Sequence, residues 1–281
     1  MATLDWLFEH WVLEIIWSLE FDDWSFVCPV HKSDELNKLK GLYMFRTIFV
    51  WSSIVIATLV LGVLTLLTYP LDRKGRAGHH CARLWGRIAL LANRVKVKVE
   101  GLENIRGKGP FIFMSNHQGS YDIFVLLGHL PFQFKWLVKK ELFSIPFFGW
   151  AMAAAGYISI DRQGTREATV EAMNQAARRI REGMSVVIFP EGSRSPDGSI
   201  QPFKKGGFIL AMKSKVPIIP ISLAGSREIM SKDRLTASSG EIRIRIGNPI
   251  ETSPYSVKER NTLMEKVSET ILKNFELISQ K

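Results

Sequence analysis

The fold of this chain is decided by residues 111–122, which read FIFMSNHQGSYD. The apolar run Phe111–Met114 predicts a short buried strand, and the largely apolar residues Ile123–Leu130 that follow predict a helix. The polar residues between them then lie at the carboxyl end of the strand, which is where α/β sheets commonly bind ligands. The stretch therefore predicts an α/β fold and also the place of its functional site.

Strands and helices alternate on both sides of this stretch. A long helix is predicted at Thr165–Glu182, with Thr165 as its N-cap and Gly183 just past its end, and another helix closes the chain near Ser256–Ile278. The alternation predicts one domain of α/β class, with a central, largely buried mixed sheet flanked by helices. The other predicted strands are Val95–Val99, Phe134–Val138, Tyr157–Ile160, Val186–Phe189 and Ile218–Leu223.

A long uncharged stretch precedes this domain. No residue from Thr47 to Leu71 is charged, and a helix of this length spans the roughly 30 Å hydrocarbon core of a bilayer. A buried core helix is the alternative, but core helices rarely need so long an uncharged stretch. Basic residues after the stretch place its carboxyl-terminal side in the cytoplasm, so we expect a cell-membrane protein whose main domain lies on the cytoplasmic face. The basic residues that follow the uncharged stretch are Arg73, Lys74, Arg76, Arg83, Arg87, Arg94, Lys96 and Lys98.

Two further segments near the amino terminus are amphipathic. The helix predicted at His80–Asn93 either lies at the membrane surface or packs on the main domain, because amphipathicity does not say what covers an apolar face. Residues 1–43 form an accessory segment, which is acidic in its first 40 residues. We expect this segment either to pack on the membrane anchor formed by the uncharged stretch Thr47–Leu71 or to bind a partner molecule. On the His80–Asn93 helix, the apolar face holds Leu84, Trp85, Ile88 and Leu91, and another face holds Arg83 and Arg87.

Charge and cysteine content narrow the ligands to be expected. The formal net charge of +10 attracts nucleic acid, anionic lipid and anionic substrates alike, but no nucleic-acid-binding motif accompanies it, so we expect no nucleic acid partner. Cys28 and Cys81 show neither metal-site nor redox spacing. We therefore expect neither a metal nor a redox cofactor.

His117 and Asp122 are the candidate catalytic pair. Five positions separate them, which on a regular helix would put them about 140° apart, so they meet only if His117 lies in the turn. With Gly119 loosening that turn and Ser120 capping the helix, Asp122 can accept from one imidazole nitrogen, and the other nitrogen is free to take a proton. From their spacing alone, a polar turn and a helix-dipole acid are the favoured interpretation of these two residues, and the catalytic interpretation depends on the sequence blocks that follow.

This stretch resembles the first sequence block of the glycerolipid acyltransferases, the PlsC-type lysophosphatidic acid acyltransferase family, whose signature is a His, four residues, then Asp. Residues 156–162 (GYISIDR), 189–195 (FPEGSRS) and 216–220 (VPIIP) resemble the second, third and fourth blocks, in the family's order. Two departures are mild, since Gly119 stands where Ser is frequent and Ser193 where Thr is frequent. The resemblance covers Val95 to about Pro249 and implies membrane-anchoring helices at 44–94 and an acyltransferase catalytic domain at 95–281, whereas the accessory segment at 1–43 has no counterpart in the family.

The third block is predicted to contact the substrate. Pro190 and Gly192 suit a tight turn that presents Glu191 and Arg194 together. A guanidinium holds a phosphate bidentately, so Arg194 is suited to a phosphate head group. Glu191 would orient a glycerol hydroxyl or Arg194, and an ion pair between Glu191 and Arg194 is the alternative.

Further contacts are carried over from the resemblance. Arg162 of the second block would share the phosphate with Arg194, although an ion pair with Asp161 or Glu167 remains an alternative. Lys139 would stabilise a thioester oxyanion, and Lys204 and Lys205 would contact the acyl donor, although Lys139 could equally be a solvated lysine. In the fourth block, Val216–Pro220, a buried strand wall or an acyl-chain contact is favoured over catalysis.

The resemblance implies transfer of an acyl group from acyl-CoA or acyl-carrier protein to the sn-2 hydroxyl of 1-acylglycerol-3-phosphate, with His117 as general base oriented by Asp122. The implied partners are a lysophospholipid, the acyl donor and membrane lipids. The alternatives are an acyltransferase for another lysophospholipid or lyso-aminolipid and a non-enzymatic membrane adaptor. A serine hydrolase using Ser120 is disfavoured because the Gly-x-Ser-x-Gly elbow is missing around it.

Overall fold

The computed structural model describes residues 33–161, 165–231 and 238–280. The predicted accessory residues 1–32, Cys28 and Arg162 lie outside this part of the chain. Its strands are β1 (Val95–Glu100), β2 (Ile112–Ser115), β3 (Phe134–Lys139), β4 (Ile158–Ile160), β5 (Ser185–Ile188), β6 (Ile218–Ala224) and β7 (Gly240–Ile246). They form one sheet in the order β1-β7-β6-β2-β5-β3-β4, which is parallel except for the antiparallel pair β6 and β7. The predicted mixed sheet within one α/β domain is confirmed.

Strand β7 is the strand that the sequence analysis missed. Its sequence, GEIRIRI, alternates polar and apolar residues, which is the pattern of a strand with one buried face. Ile242, Ile244 and Ile246 are buried, whereas the arginines between them are partly exposed. The other six strands lie where the sequence predicted them, to within one or two residues.

Two helices precede the first strand, one follows the last strand, and the others lie between strands along the chain. They are α1 (Ser33–Thr68), α2 (Arg76–Ala92), α3 (Tyr121–His129), α4 (Lys140–Phe143), α5 (Phe148–Ala154), α6 (Arg166–Arg181), α7 (Lys205–Ser214), α8 (Ser226–Ile229) and α9 (Arg260–Ser279). Helix α6 confirms the prediction at Thr165–Glu182, and Gly183 follows it at φ +105°. Helix α9, preceded by a short 3-10 turn, confirms the predicted closing helix.

Both faces of the sheet are covered. One apolar cluster joins the sheet to α1, α2 and α3, and a second cluster joins it to α6, α7 and α9. On β2 the side chain of Phe113 enters the first cluster, while those of Ile112 and Met114 enter the second, as the two-residue period of a strand requires. The polar turn after β2 therefore emerges at the edge of a sheet that is buried on both faces.

Helix α1 contains the apolar stretch predicted as the anchor. Residues Met44–Thr68 have a mean hydropathy of 2.3 over a length sufficient to cross a membrane. One row of side chains three or four positions apart is buried against the protein, and most other large apolar side chains of the stretch are exposed. The buried row consists of Val50, Ile54, Ala57, Leu61 and Thr65.

Helix α2 packs against both α1 and α3, so the packing alternative holds for one of its faces. Trp85 turns inward, donates from Nε1 to Thr58 Oγ1 at 2.9 Å and meets Phe124 edge to face. Leu84 and Leu91, which the sequence placed on the same face as Trp85, remain exposed. The predicted single apolar face is therefore divided between the protein interior and the surface.

Candidate active site

His117 and Asp122 meet at the carboxyl end of β2. The distance from His117 Nδ1 to Asp122 Oδ2 is 2.8 Å. The same carboxylate oxygen accepts the backbone N–H groups of Gln118 and Gly119, at 2.7 and 2.9 Å, and Asp122 is fully buried. Since a carboxylate only accepts, Nδ1 carries the proton, and Nε2 is left with a lone pair.

Two details of the turn differ from the prediction. Ser120 makes no capping bond to α3, and its hydroxyl oxygen instead accepts from Arg194 Nη1 at 2.5 Å. Asp122 instead accepts two backbone N–H groups of the turn that precedes the helix. Gly119 is required for a different reason from the one predicted, because a Cβ there would collide with the carbonyl oxygen of Ser226.

Glu191 lies beneath the turn that carries His117. Its Oε1 accepts the backbone N–H of His117 at 2.7 Å, and its Oε2 accepts that of Gln201 at 2.9 Å. The side chain is buried, and this burial raises the pKa of the Glu191 carboxyl even though both N–H groups act to lower it. Both carboxylate oxygens of Glu191 thus bond to backbone N–H groups, an arrangement that suits a positioning role, and the predicted contact with substrate stays a prediction.

The rest of the third block closes over the same turn. Gly192 has φ +79° and donates its N–H to Phe189 O at 3.0 Å. This hydrogen bond closes the tight turn that the sequence predicted. Ser195 N–H donates to His117 O at 2.8 Å. Together with the bonds of Glu191 and Arg194, this contact ties the loop after β5 to the turn after β2.

Phe189 is a site residue whose role the sequence analysis did not identify, although it quoted the residue within the third block. Its ring stacks on the His117 imidazole with centroids 3.9 Å apart and planes 11° apart, and it also stacks with Trp136 at a centroid distance of 5.5 Å. Asn116 was also left without a role. Its side chain bonds both backbone groups of Leu223, at 2.8 Å each, and joins the end of β2 to β6.

A cavity of about 1290 Å³ opens beside His117. Its walls are mainly apolar and come from α1, α2, α5, α6 and α7. Charged side chains lie among them, of which two are acidic, Glu141 and Asp161, and four are cationic, Lys139, Arg194, Lys204 and Lys213. An apolar cavity of this size beside a base and an arginine suits a lipid with an anionic head group.

The remaining predicted residues fall into two groups. Lys139 and Lys204 line the cavity, whereas Lys205, the first residue of α7, does not appear in its wall. The fourth block is a buried strand wall, as predicted, since every residue of β6 is buried. Within the described ranges, we find no group of three or more His, Cys, Asp or Glu side chains able to hold a metal ion.

Comparison with known proteins gives consistent results. The sequence profile of a family described as Acyltransferase matches residues 96–224. A chloroplastic 1-acyl-sn-glycerol-3-phosphate acyltransferase of Brassica napus is 33% identical over 83% of this chain, which spans 68% of that relative. A 1-acyl-sn-glycerol-3-phosphate acyltransferase of Limnanthes douglasii is 30% identical, with 81% of each chain covered.

A solved structure is also similar. It is the crystal structure of the 1-acyl-sn-glycerophosphate acyltransferase PlsC from Thermotoga maritima, which superposes with a TM-score of 0.74 at 27% identity. The match covers 85% of this chain and 97% of that one. The similarity therefore extends through the α/β domain and beyond it.

Proposed function

The chain belongs to the 1-acyl-sn-glycerol-3-phosphate acyltransferase family, and we propose that it moves an acyl group from a thioester to the sn-2 hydroxyl of 1-acylglycerol-3-phosphate. The donor is acyl-CoA or acyl-carrier protein, and the products are phosphatidate and a free thiol. The observation that carries this proposal is the His117–Asp122 pair at the edge of a large apolar cavity that also contains Arg194. Functionally, we assign residues 44–94 to the anchor and residues 95–281 to catalysis.

His117 is the general base of the proposed reaction. Its Nε2 takes the proton of the sn-2 hydroxyl while the hydroxyl oxygen forms a bond to the thioester carbonyl carbon. Asp122 holds the imidazole in the required tautomer and stabilises the imidazolium that forms. When the tetrahedral intermediate collapses, the C–S bond breaks, and Nε2 returns the proton to the departing sulfur.

Three groups around His117 restrict its position. Glu191 holds its backbone N–H, Phe189 covers one face of its ring, and Asp122 holds Nδ1. A base fixed in this way needs no rearrangement when the substrate arrives, which lowers the barrier to proton transfer. Glu191 and Phe189 are accordingly positioning residues in this proposal.

Cationic side chains of the cavity stabilise the negative charges of the substrate and of the tetrahedral intermediate. Arg194, which is held by Ser120, binds the phosphate of the acceptor through its planar guanidinium. Lys139 or backbone N–H groups stabilise the oxyanion of the tetrahedral intermediate, a contribution of a few kcal/mol in comparable sites. The exposed Lys204 serves the donor. These contacts need no metal or redox cofactor.

The proposed location is the cell membrane, with the catalytic domain on its cytoplasmic face. Helix α1 supplies the apolar anchor, and basic residues follow it, as the positive-inside rule requires of a cytoplasmic side. Reporter fusions on either side of α1 would test this orientation.

The deciding experiment assays detergent-solubilised wild type and His117→Ala with radiolabelled lysophosphatidate and either donor. Phosphatidate and thiol should appear together from wild type and fall by roughly a thousandfold in the variant. Product from another lysophospholipid, but none from lysophosphatidate, would contradict the proposed acceptor. Equal product from both proteins would contradict the role of His117.

A further inference from the structure

The segment Lys140–Ala154, which forms α4, α5 and the turn between them, exposes an unusual set of side chains. Ile145 is 40% exposed and Trp150 is 62% exposed, and Leu142, which also lines the cavity, is 40% exposed. Scattered apolar residues are normal on a soluble surface, but a contiguous apolar patch indicates a binding face. The sequence analysis assigned this segment neither to the membrane nor to the site.

Packing places the segment beside the middle of the anchor. Helix α5 contacts α1, and the ring of Phe147 lies so close to the α1 backbone that a Cβ at Gly62 would be 2.7 Å from it. Phe147 itself has φ +64°, which is rare for a bulky residue and costs free energy unless surrounding contacts compensate for it. The contact with Gly62 is therefore specific, and it fixes the segment against the apolar stretch Met44–Thr68.

The exposed apolar surface continues from the anchor to the segment. Next to Gly62 on α1, Leu59 and Val63 are about half exposed, and Leu67 is more so. The segment Lys140–Ala154 packs on α1, so its exposed side chains share the environment of this exposed surface of α1. The length and hydropathy of α1 select a lipid bilayer as that cover, and an exposed tryptophan is typical of a membrane interface.

We propose that Leu142–Trp150 is a second membrane-contacting element, which inserts its apolar side chains into the bilayer beside α1. Lys139, exposed at the start of the segment, lies at the level of the lipid head groups. Gly62 and Ala151 also line the cavity, so the insertion brings that wall of the cavity to lipid depth. The proposal depends on α1 being the anchor and is independent of the reaction catalysed.

Site-directed fluorescence tests the proposal on the full chain in lipid vesicles. In a background with Cys28→Ser and Cys81→Ser, single cysteines replace Ile145 or Trp150 and carry an environment-sensitive nitrobenzoxadiazole label. Leu59→Cys on α1 serves as the anchor reference. Glu276→Cys is the water reference, because it is exposed on α9, which covers the opposite face of the sheet. Thermal unfolding and size-exclusion profiles check that each variant is folded.

We expect the labels at 145 and 150 to lose emission with doxyl-labelled phospholipids, as the label at 59 does, and to resist aqueous iodide. The label at 276 should show the opposite pattern. Iodide quenching at 145 and 150, with lipid quenching kept at 59, would overturn the proposal while leaving the anchor intact. If neither quencher reduced the emission of the labels at 145 and 150, this surface would be buried against protein and the proposal would be overturned. Loss of lipid quenching at 59 as well would overturn the anchor together with the proposal.

Discussion

His79 is fully buried and His117 is partly buried, and their surroundings give them opposite properties. His117 has a carboxylate on Nδ1, a phenyl ring on one face and a cavity beside it. His79, on α2, has no exposed surface, contacts the Phe132 carbonyl oxygen through Nε2 at 3.1 Å and meets the edge of Phe134. The side-chain type is the same, so the difference arises from the partners.

The environment of His79 excludes a proton. Burial lowers the pKa of His79 to about 3, and the neighbouring charge of Lys135 acts in the same direction. Lys135 is itself buried, and it donates to the carbonyl oxygens of Gly75 and Ala155 at 2.6 and 2.5 Å. His79 thus remains a neutral packing residue between α2 and β3. A buried histidine becomes a base only where a carboxylate compensates the charge that it gains.

Removing that carboxylate should have the largest effect. Asp122→Asn keeps the shape and leaves an oxygen for the backbone N–H groups, but it removes the charge that stabilises the imidazolium. If the amide nitrogen turns toward Nδ1 instead, it selects the tautomer in which Nε2 is protonated. We expect kcat to fall at least about a hundredfold with an unchanged unfolding temperature. A loss below about tenfold would contradict the role of Asp122 as the partner of the base.

Removing the carboxylate that accepts the backbone N–H of His117 should have the next largest effect on kcat. Glu191→Gln keeps one acceptor oxygen and replaces the other by an NH2 group. Because NH2 is a donor, it leaves one of the two backbone N–H groups without an acceptor. This costs roughly 1–3 kcal/mol of stability, and we expect a loss of kcat of about ten- to a hundredfold. Glu228→Gln changes an exposed glutamate and is the control for both measurements. A change confined to KM for lysophosphatidate would instead indicate that Glu191 contacts the substrate.

Removing the ring that stacks on His117 should have a smaller effect. Phe189→Leu keeps an apolar side chain but allows the imidazole plane to turn, so we expect kcat to fall about tenfold while KM changes little. Phe189→Tyr retains a flat ring and should restore most of the activity. Equal activity of the leucine and tyrosine variants would contradict the positioning role.

Changes at His79 should leave catalysis unaffected and alter only stability in acid. Because its folded pKa lies below the unfolded value, the unfolded state binds the proton first, and stability falls as pH drops from about 6.5 toward 3. Between pH 7 and pH 5 this loss is about 2 kcal/mol. His79→Gln can still donate to Phe132 O and should remove the loss.

Unfolding at both pH values in one detergent measures this effect. His80→Gln, at an exposed neighbour, should retain the loss seen in wild type. An unchanged acid loss in His79→Gln would contradict the assignment to His79.

Much of the architecture follows from patterns within single elements. Apolar runs located six strands, the N-cap and the terminal glycine located α6, and the long uncharged stretch located the apolar part of α1. Strand β7 was missed although its alternation is regular, and the face assigned to α2 was only partly right. Periodicity reports that a face is covered, but it does not identify the neighbour that covers it.

The spacing of His117 and Asp122 across one turn allowed their contact but did not establish it, and the resemblance of the four sequence blocks to the acyltransferase family is what favoured the pair. Only the tertiary structure decided what holds His117 from outside that turn. Glu191 and Phe189 reach it because β5 lies next to β2 in the sheet, although 74 positions separate Glu191 from His117. The exposed face of α4 and α5 likewise depends on packing against α1. Local sequence restricts local geometry through steric and hydrogen-bonding rules, whereas contacts across the sheet depend on the strand order.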